Sequence, residues 1–418
     1  MSSALTALTA RIAEDYAASV RTRAAAEETP RRAALAALLR EDLPGNRDEN
    51  WRYASLRGLE RLRFAPVAAS ALSGAALPPP VPGFERHVFI DGRRAPELSA
   101  AGSAALAPIG PQPERARSTD QRFALLNDAF APEGAALTVR GDAQLELIFL
   151  AHGPADAGAS YPRIGVRVAP GARLELIERH LSTGTAGSFV TSLAEIELER
   201  DASLAHYRLQ DLSRDSTSFD TLLARLAAGA SYQLHGISTG ARAARSTQQI
   251  ELAGEASALR MALVALGDGA QVQDGFAQVQ HRAPRARTEQ LFRGIAAGRA
   301  RVAFNGKIVV AAGASGTDSQ QSLRGLLAGA GAEIDVRPQL EIYTDEVRCS
   351  HGATTGKLDE NMLFYLLSRG LDPQTAQRLL KWAFLADAFA RIGIPQLRQQ
   401  IESSLAAGLK DEALKELL

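Results

Sequence analysis

The chain has one cysteine, Cys349, in 418 residues. A single thiol excludes an internal disulfide, and it excludes a metal centre built from the chain's own cysteines. An excess of charge is also missing. Lys and Arg total 47, and Asp and Glu total 47. That balance removes bulk electrostatic attraction as a route to nucleic acid or to an anionic membrane. No apolar run approaches the ~20 residues that span a bilayer. The opening "MSSALTALTARIAEDYAASV" has acidic residues and a helical spacing of its apolar residues, and lacks the basic-then-apolar order of a secretory signal. The expected location is cytoplasmic, with no nucleic-acid and no membrane partner. The length exceeds one compact core, so two or three structural units are expected. Hydrophobic residues make up 46%, which supports a folded chain throughout.

The first stretch reads as helices. Leu5, Ile12, Tyr16 and Val20 recur at steps of seven, four and four residues, along one helical face. "TPRRAALAALLRE" predicts a second helix, with Thr29 as N-cap and Pro30 at the first helical position. After a break at "LPGNRDENWRYASL", "SLRGLERLRF" reads as a resumed helix. "LPPPVPG" cannot be regular helix, because proline fixes φ and removes donors. A boundary falls there, giving a helical region over 1–84.

From 85 to 355 the texture changes to short alternating segments. In "AQLELIFL", Leu145, Leu147 and Phe149 share one parity, and Gln144, Glu146 and Ile148 share the other. A period of two predicts strand. One helical island, "RFALLNDAFAPEG", precedes the run. A small-residue turn then recurs before a strand, with alanines at Ala143, Ala172, Ala202, Ala230, Ala256, Ala300 and Ala332. The spacing is ~30 residues with one wider gap, in which Ala270 falls. Such a period favours a β-solenoid over a sandwich of hairpins. The sandwich keeps one argument: the Asn-Gly of "FNGKIVV" suits a type I′ hairpin turn. From 356 to 418 the pattern is helical again. "LDPQTAQRLLKWAFLADAFARIG" carries Asp372 as N-cap and Pro373 after it. Leu379, Trp382, Leu385, Ala386 and Phe389 form an apolar stripe. On so short a terminal unit, that stripe is a candidate partner-binding face as well as candidate core. "IPQLRQQIESSLAAG" and "KDEALKELL" read as further helices.

The chemistry-bearing stretch is "EVRCSHGATTGKL", with Cys349 two residues before His351. Gly352 and Gly356 are one residue too close for a phosphate loop, and Leu358 stands where the Mg²⁺-binding hydroxyl is required. A nucleophilic Cys–His pair is disfavoured, because strand residues at i and i+2 lie ~6–7 Å apart. Cys349 can equally be a small buried hydrophobe, with a turn near Thr344 and Asp345 pointing Leu340, Ile342, Val347 and Cys349 inward. His351 precedes a Gly/Thr-rich stretch that reads as an exposed turn. The metal reading needs more ligands than this chain holds. The usual iron–sulfur cluster takes four thiolates, or two thiolates with two imidazoles. Any cluster touched here must therefore be shared with another chain.

"PQLEIYTDEVRCSHGATTGKLDENMLFYLLSRGL" resembles the C-terminal signature of the SufB/SufD family, scaffold subunits of the SUF iron–sulfur assembly machinery. "RTEQLFRGIAAGRARVAFNGKIVV", "DENWRYASLRGL" and "FALLNDAF" resemble other family stretches, so most of the chain is covered. The branch resembled is SufD. His351 is followed by Gly352 and not by glutamate, and Leu323 stands where the SufB branch carries an upstream cysteine. The resemblance implies a right-handed parallel β-helix core flanked by N- and C-terminal helical units. It also implies a non-catalytic scaffold that pairs with SufB as a heterodimer and carries the SufC ATPase on its C-terminal helices. His351 matches the family position facing a transient iron–sulfur cluster shared with SufB, and Cys349 matches too. No cofactor is expected to stay bound to the isolated chain, whose homodimerisation the residues leave open. The alternative is a solenoid enzyme, acyltransferase- or lyase-like. That reading lacks a visible catalytic carboxylate or histidine cluster along one face and lacks a hexapeptide period.

Overall fold

A computed structural model describes residues 7–20, 25–45, 47–56, 58–69, 72, 77–100, 106–111 and 119–408. Its centre is a parallel β-solenoid of about eight turns. Two sheets face each other across a filled lumen. The first holds, in spatial order, Glu85–Ile90, Asp142–Ala151, Arg173–Ser182, Ser203–Asp211, Ser231–Ser238, Ala258–Gly267, Arg287–Ala296, Thr317–Leu327 and Val347–Lys357, with the short Arg93–Arg94 at its start. The second runs from Leu106–Pro108 and Ala135–Val139 through Arg163–Val168, Phe189–Leu198, Thr217–Leu226, Ala243–Leu252, Val272–His281 and Arg301–Val310 to Glu333–Ile342. Pairing is parallel along both stacks; the antiparallel pairs are Phe89–Ile90 with Arg93–Arg94, and Leu106–Pro108 with Ala135–Val139.

The repeated small-residue turn has a definite cause. Gly171, Asp201, Gly229, Ala256, Arg285 and Gly316 all have φ between 57° and 70°. Each is the last residue of a two-residue turn that leads into the first sheet. The residue after it is small or short and fully packed: Ala172, Ala202, Ala230, Ser257, Ala286 and Thr317 are all buried. A left-handed residue costs non-glycine side chains ~1–2 kcal/mol, and here stacking on neighbouring coils offsets it. The wide gap in the alanine series arises because its first five members enter the first sheet, while Ala300 and Ala332 enter the second. Asn305 and Gly306 make no hairpin. They lie inside Arg301–Val310, paired in register with Phe276 and Ala277.

Helices cover both outer faces. Against the second sheet lie α1 (Ala7–Val20), α2 (Ala25–Glu41) and α3 (Arg122–Phe130), joined by a cluster of Ile12, Tyr16, Trp51, Phe64, Phe123, Phe130 and Phe219. Trp51 is buried, stacks on Phe123 at 5.4 Å and donates its Nε1–H to Asp120 at 3.0 Å. Against the first sheet lie α5 (Pro373–Phe389) and α6 (Pro395–Gly408), while α4 (Glu360–Ser368) projects from the last coil with no buried residue.

Several local expectations change. Thr29 is not an N-cap, because α2 begins at Ala25 and Pro30 lies inside it. Among the described residues of "SLRGLERLRF", the helical element is the 3-10 turn Leu59–Arg61. Leu5 and the 410–418 helix lie outside the described residues. Asp372 does cap α5: its carboxylate accepts from the backbone N–H of Gln374 and Thr375 at 2.9 and 3.0 Å.

Candidate functional site

Cys349 and His351 sit on Val347–Lys357, the final strand of the first sheet. The stretch "HGATTGK", read as a turn, continues this strand to its end. Among the described residues its one strand neighbour is Thr317–Leu327, with Ser319 beside Cys349, Gln321 beside His351 and Leu323 beside Ala353. Ser319, Gln321 and Leu323 are buried in the lumen. By the two-residue alternation, Cys349 and His351 lie on that same inward face. They differ in cover. Cys349 is half-buried and packs on the lumen core with Val347, Leu340, Val336 and Ile334. His351, one step further along, is exposed. Ile342, expected inward, is 40% exposed.

The cause of that exposure is the end of the solenoid. Among the described residues, nothing pairs with the outer edges of Val347–Lys357 or Glu333–Ile342. Every other coil covers the one before it, whereas this one is left open. Large apolar side chains next to this edge along the chain are exposed: Tyr343, just after Glu333–Ile342, is 62% exposed, and on α4, just after Val347–Lys357, Met362, Phe364 and Tyr365 are 59%, 72% and 57% exposed. An uncovered edge with exposed aromatic groups is what a chain–chain contact uses.

The thiol is not activated within this chain. Burial raises the Cys349 pKa, and the charge of Asp318 raises it further, against the opposing hydrogen bond from the Ser319 backbone. A reactive thiolate needs the reverse setting. Among the described residues, no group of three or more His, Cys, Asp and Glu side chains could hold a metal. The strand therefore offers at most two donors.

The other histidines lie elsewhere. His87, His180, His206, His235 and His281 are buried, and His152 bonds Thr183 at 2.7 Å. Two of them meet in a cluster that the linear sequence hides. In the lumen, Glu178 takes His180 Nε2 at 2.6 Å, His206 Nε2 at 2.9 Å and Arg208 Nη2 at 2.6 Å. Arg208 also reaches both oxygens of Asp220, at 2.7 and 3.0 Å. Burial pushes Glu178 up, but the Arg208 charge and the two histidine bonds outweigh it and hold the carboxyl well below its usual range. The readable signal was the coil period, since Glu178 and Arg208 pair directly across one turn. Beside this cluster lies a cavity of about 90 Å³, lined also by Gln210, Ser238, Gln273, Phe292 and Phe304.

The apolar stripe of α5 is divided. Leu385 and Phe389 are buried, joining Ala388, Ile177, Tyr207, Ile237 and Ile295 under the helix. Trp382 is half-buried and stacks on Phe389 at 5.2 Å. Leu379 is partly exposed, and Ala386 is exposed. Leu385 and Phe389 hold the helix to the solenoid and are closed to a partner in this packing. The apolar surface that sequence reasoning missed is on α4.

A parallel β-solenoid with helical flanks, an uncovered final coil and two potential metal donors on that coil defines the class. The chain matches the family model for the SUF system FeS cluster assembly SufBD core domain over residues 149–384. It is 33% identical over 382 residues to the iron-sulfur cluster assembly protein SufD of Escherichia coli, covering 88% of this chain and 89% of that one. It is 28% identical over 395 residues to a SufBD family protein of Synechocystis, with 87% of each covered. The chloroplastic protein ABCI7 of Arabidopsis thaliana is 28% identical over 243 residues, 58% of this chain and 51% of that one. The chain belongs to the SufBD family of the SUF iron–sulfur cluster assembly system. Among the described residues, no helix is long and apolar enough to cross a membrane.

Proposed function

We propose that this chain is a non-catalytic scaffold of the cytoplasmic SUF machinery, pairing with SufB so that a nascent iron–sulfur cluster is assembled where the two chains meet. The observation that carries the reading is the open final coil, which bears both His351 and Cys349. A second solenoid that adds strands to the edges of Val347–Lys357 and Glu333–Ile342 would satisfy their free backbone groups and cover Ile342 and Tyr343. The cluster is cargo. A neutral His351 imidazole supplies a nitrogen lone pair, Cys349 a second donor, and SufB the remaining thiolates. The SufC ATPase docks on the C-terminal helices, where the exposed apolar side chains of α4 and the open part of the α5 stripe, Leu379 and Trp382, form its contact.

The enzyme alternative gains nothing from the Glu178 cluster. Glu178, Arg208, His180 and His206 are buried, Asp220 is partly buried, and all five are tied up in bonds within the cluster. The test is reconstitution of the complex with His351→Ala and, separately, Cys349→Ser. His351→Ala is expected to leave pairing with SufB intact and to abolish cluster build-up. Full assembly by the His351 variant together with loss in the Cys349 variant would reverse the ranking of the two donors, and full assembly by both would end the ligand reading. For SufC, Phe364→Ser with Tyr365→Ser is expected to remove copurification without unfolding the chain, because both side chains are exposed. Unchanged SufC binding by that variant would sink the docking site.

A further inference from the structure

Beneath the two donors lies a second tier of side chains that no step above uses. Met261, Gln290, Gln321 and His351 occupy one register column through four successive strands of the first sheet. Neighbouring strands run ~4.8 Å apart, so side chains in such a column stack directly. The amides are chained. Gln321 Nε2 donates to Gln290 Oε1 at 2.7 Å and to the Gly306 carbonyl at 3.0 Å. Gln290 Nε2 donates to the Met261 sulfur at 3.7 Å. A carbonyl only accepts, so the Gly306 bond determines which end of the Gln321 amide is nitrogen. Gly306 is also needed for space. A Cβ there would lie 2.5 Å from Gln290 Oε1 and 3.0 Å from Gln321 Nε2.

One atom of this chain of bonds is left over. Gln321 is buried, and its Oε1 has no hydrogen-bond partner in the protein. Beside Cys349, the buried Ser319 Oγ has none either. Leaving a buried polar atom unpaired is costly, and native proteins hold few of them. Both orphan atoms belong to the two residues in register with Cys349 and His351.

We propose that Gln321 is the positioning residue of His351: its buried Oε1, which holds no bond in this structure, takes the imidazole N–H when the exposed ring of its register neighbour turns inward over it. A neutral imidazole has one donor nitrogen and one acceptor nitrogen. Tying the donor inward to Gln321 leaves the other nitrogen bare and turned out of the open coil, where a metal ion can take it. Histidine ligands commonly have the second ring nitrogen held by such an acceptor, which sets both tautomer and ring direction. The proposal rests on His351 as a cluster ligand, but the contact belongs to this chain alone and can be read without any cluster.

The experiment uses the full-length chain with ¹⁵N-labelled histidine, at a pH where the imidazole is neutral. The His351 signals are assigned by their loss in His351→Asn. One dominant tautomer is expected, with an N–H that exchanges slowly. Gln321→Leu is expected to return the tautomer ratio to that of free imidazole and to speed N–H exchange about tenfold. A free-imidazole ratio in the unmodified chain would overturn the proposal, and so would a ratio unmoved by Gln321→Leu. If the leucine variant does not fold, the unmodified chain still decides by its own ratio. Normal cluster assembly by His351→Ala would refute the ligand reading while leaving the Gln321 contact to stand or fall on the tautomer.

Discussion

Replacing His281 with leucine should flatten the loss of stability on acidification. His281 ends Val272–His281 and is buried in the lumen. Its Nε2 bonds Thr288 Oγ1 at 2.9 Å, and its Nδ1 has no partner. Burial, the single cause, lowers its pKa to about 4 from an ordinary 6.5. The folded pKa is the lower one, so the unfolded chain binds the extra proton, and stability rises with pH. The contribution is fully present above the unfolded value and is lost as pH falls from 6.5 toward about 4. The gap corresponds to about 3 kcal/mol in full, of which about 2 kcal/mol is lost between about pH 7 and pH 5. His235, also lowered to about 4 by burial and then by the Arg391 charge, adds in the same direction and stays in the variant. Urea unfolding of both proteins at the two pH values measures the difference. Near neutrality the leucine variant should lie within ~1 kcal/mol of the parent, the worth of the Thr288 bond. At the lower pH it should gain about 2 kcal/mol relative to the parent. Parallel pH dependence in the two proteins would refute the assignment of a buried neutral imidazole at 281.

Glu178→Ala should cost ~3–5 kcal/mol in the same unfolding assay, because it removes the buried acid that Arg208 shares with two histidines and leaves Asp220 as the guanidinium's remaining acid in the cluster; a loss under ~1 kcal/mol would show that Asp220 and the cavity beside the cluster suffice for them. Leu385→Ala should cost ~2–5 kcal/mol and raise hydrogen exchange along α5, since that side chain is fully buried under the helix. Asp372→Ala should cost ~1 kcal/mol by freeing the two N–H groups it caps, seen as faster exchange at Gln374 and Thr375.

Much of the architecture was legible because solenoid coils depend on near-neighbour rules. Strand alternation, one left-handed turn residue and one small packed residue recur locally, so their period can be read along the chain. The capped start of α5 was legible for the same reason: Asp372 and Pro373 act within one turn of helix. Misreadings arose where a distant surface overrode a local preference. Pro30 suits a helix start, yet α2 runs through it, packed with α3 on the second sheet. The Gly/Thr-rich segment after His351 suits a turn, yet the ladder of Thr317–Leu327 holds it extended. Leu385 and Phe389 look the same in sequence whether a helix faces a partner or its own solenoid, and burial under α5 resolves them inward.

By itself, the sequence determined that one thiol and one nearby imidazole cannot complete an iron–sulfur site, because ligand count is a property of composition. It also determined the coil period and the class of fold, because these rest on contacts between residues about one turn apart. Which residues stack was decided only by the tertiary structure. Glu178 meets Arg208, and Gln321 lies under His351, because the register sets each pairing and a shift of one residue would turn every side chain to the other face. The openness of the final coil among the described residues was likewise a tertiary decision, since exposure depends on which segments pack over an edge.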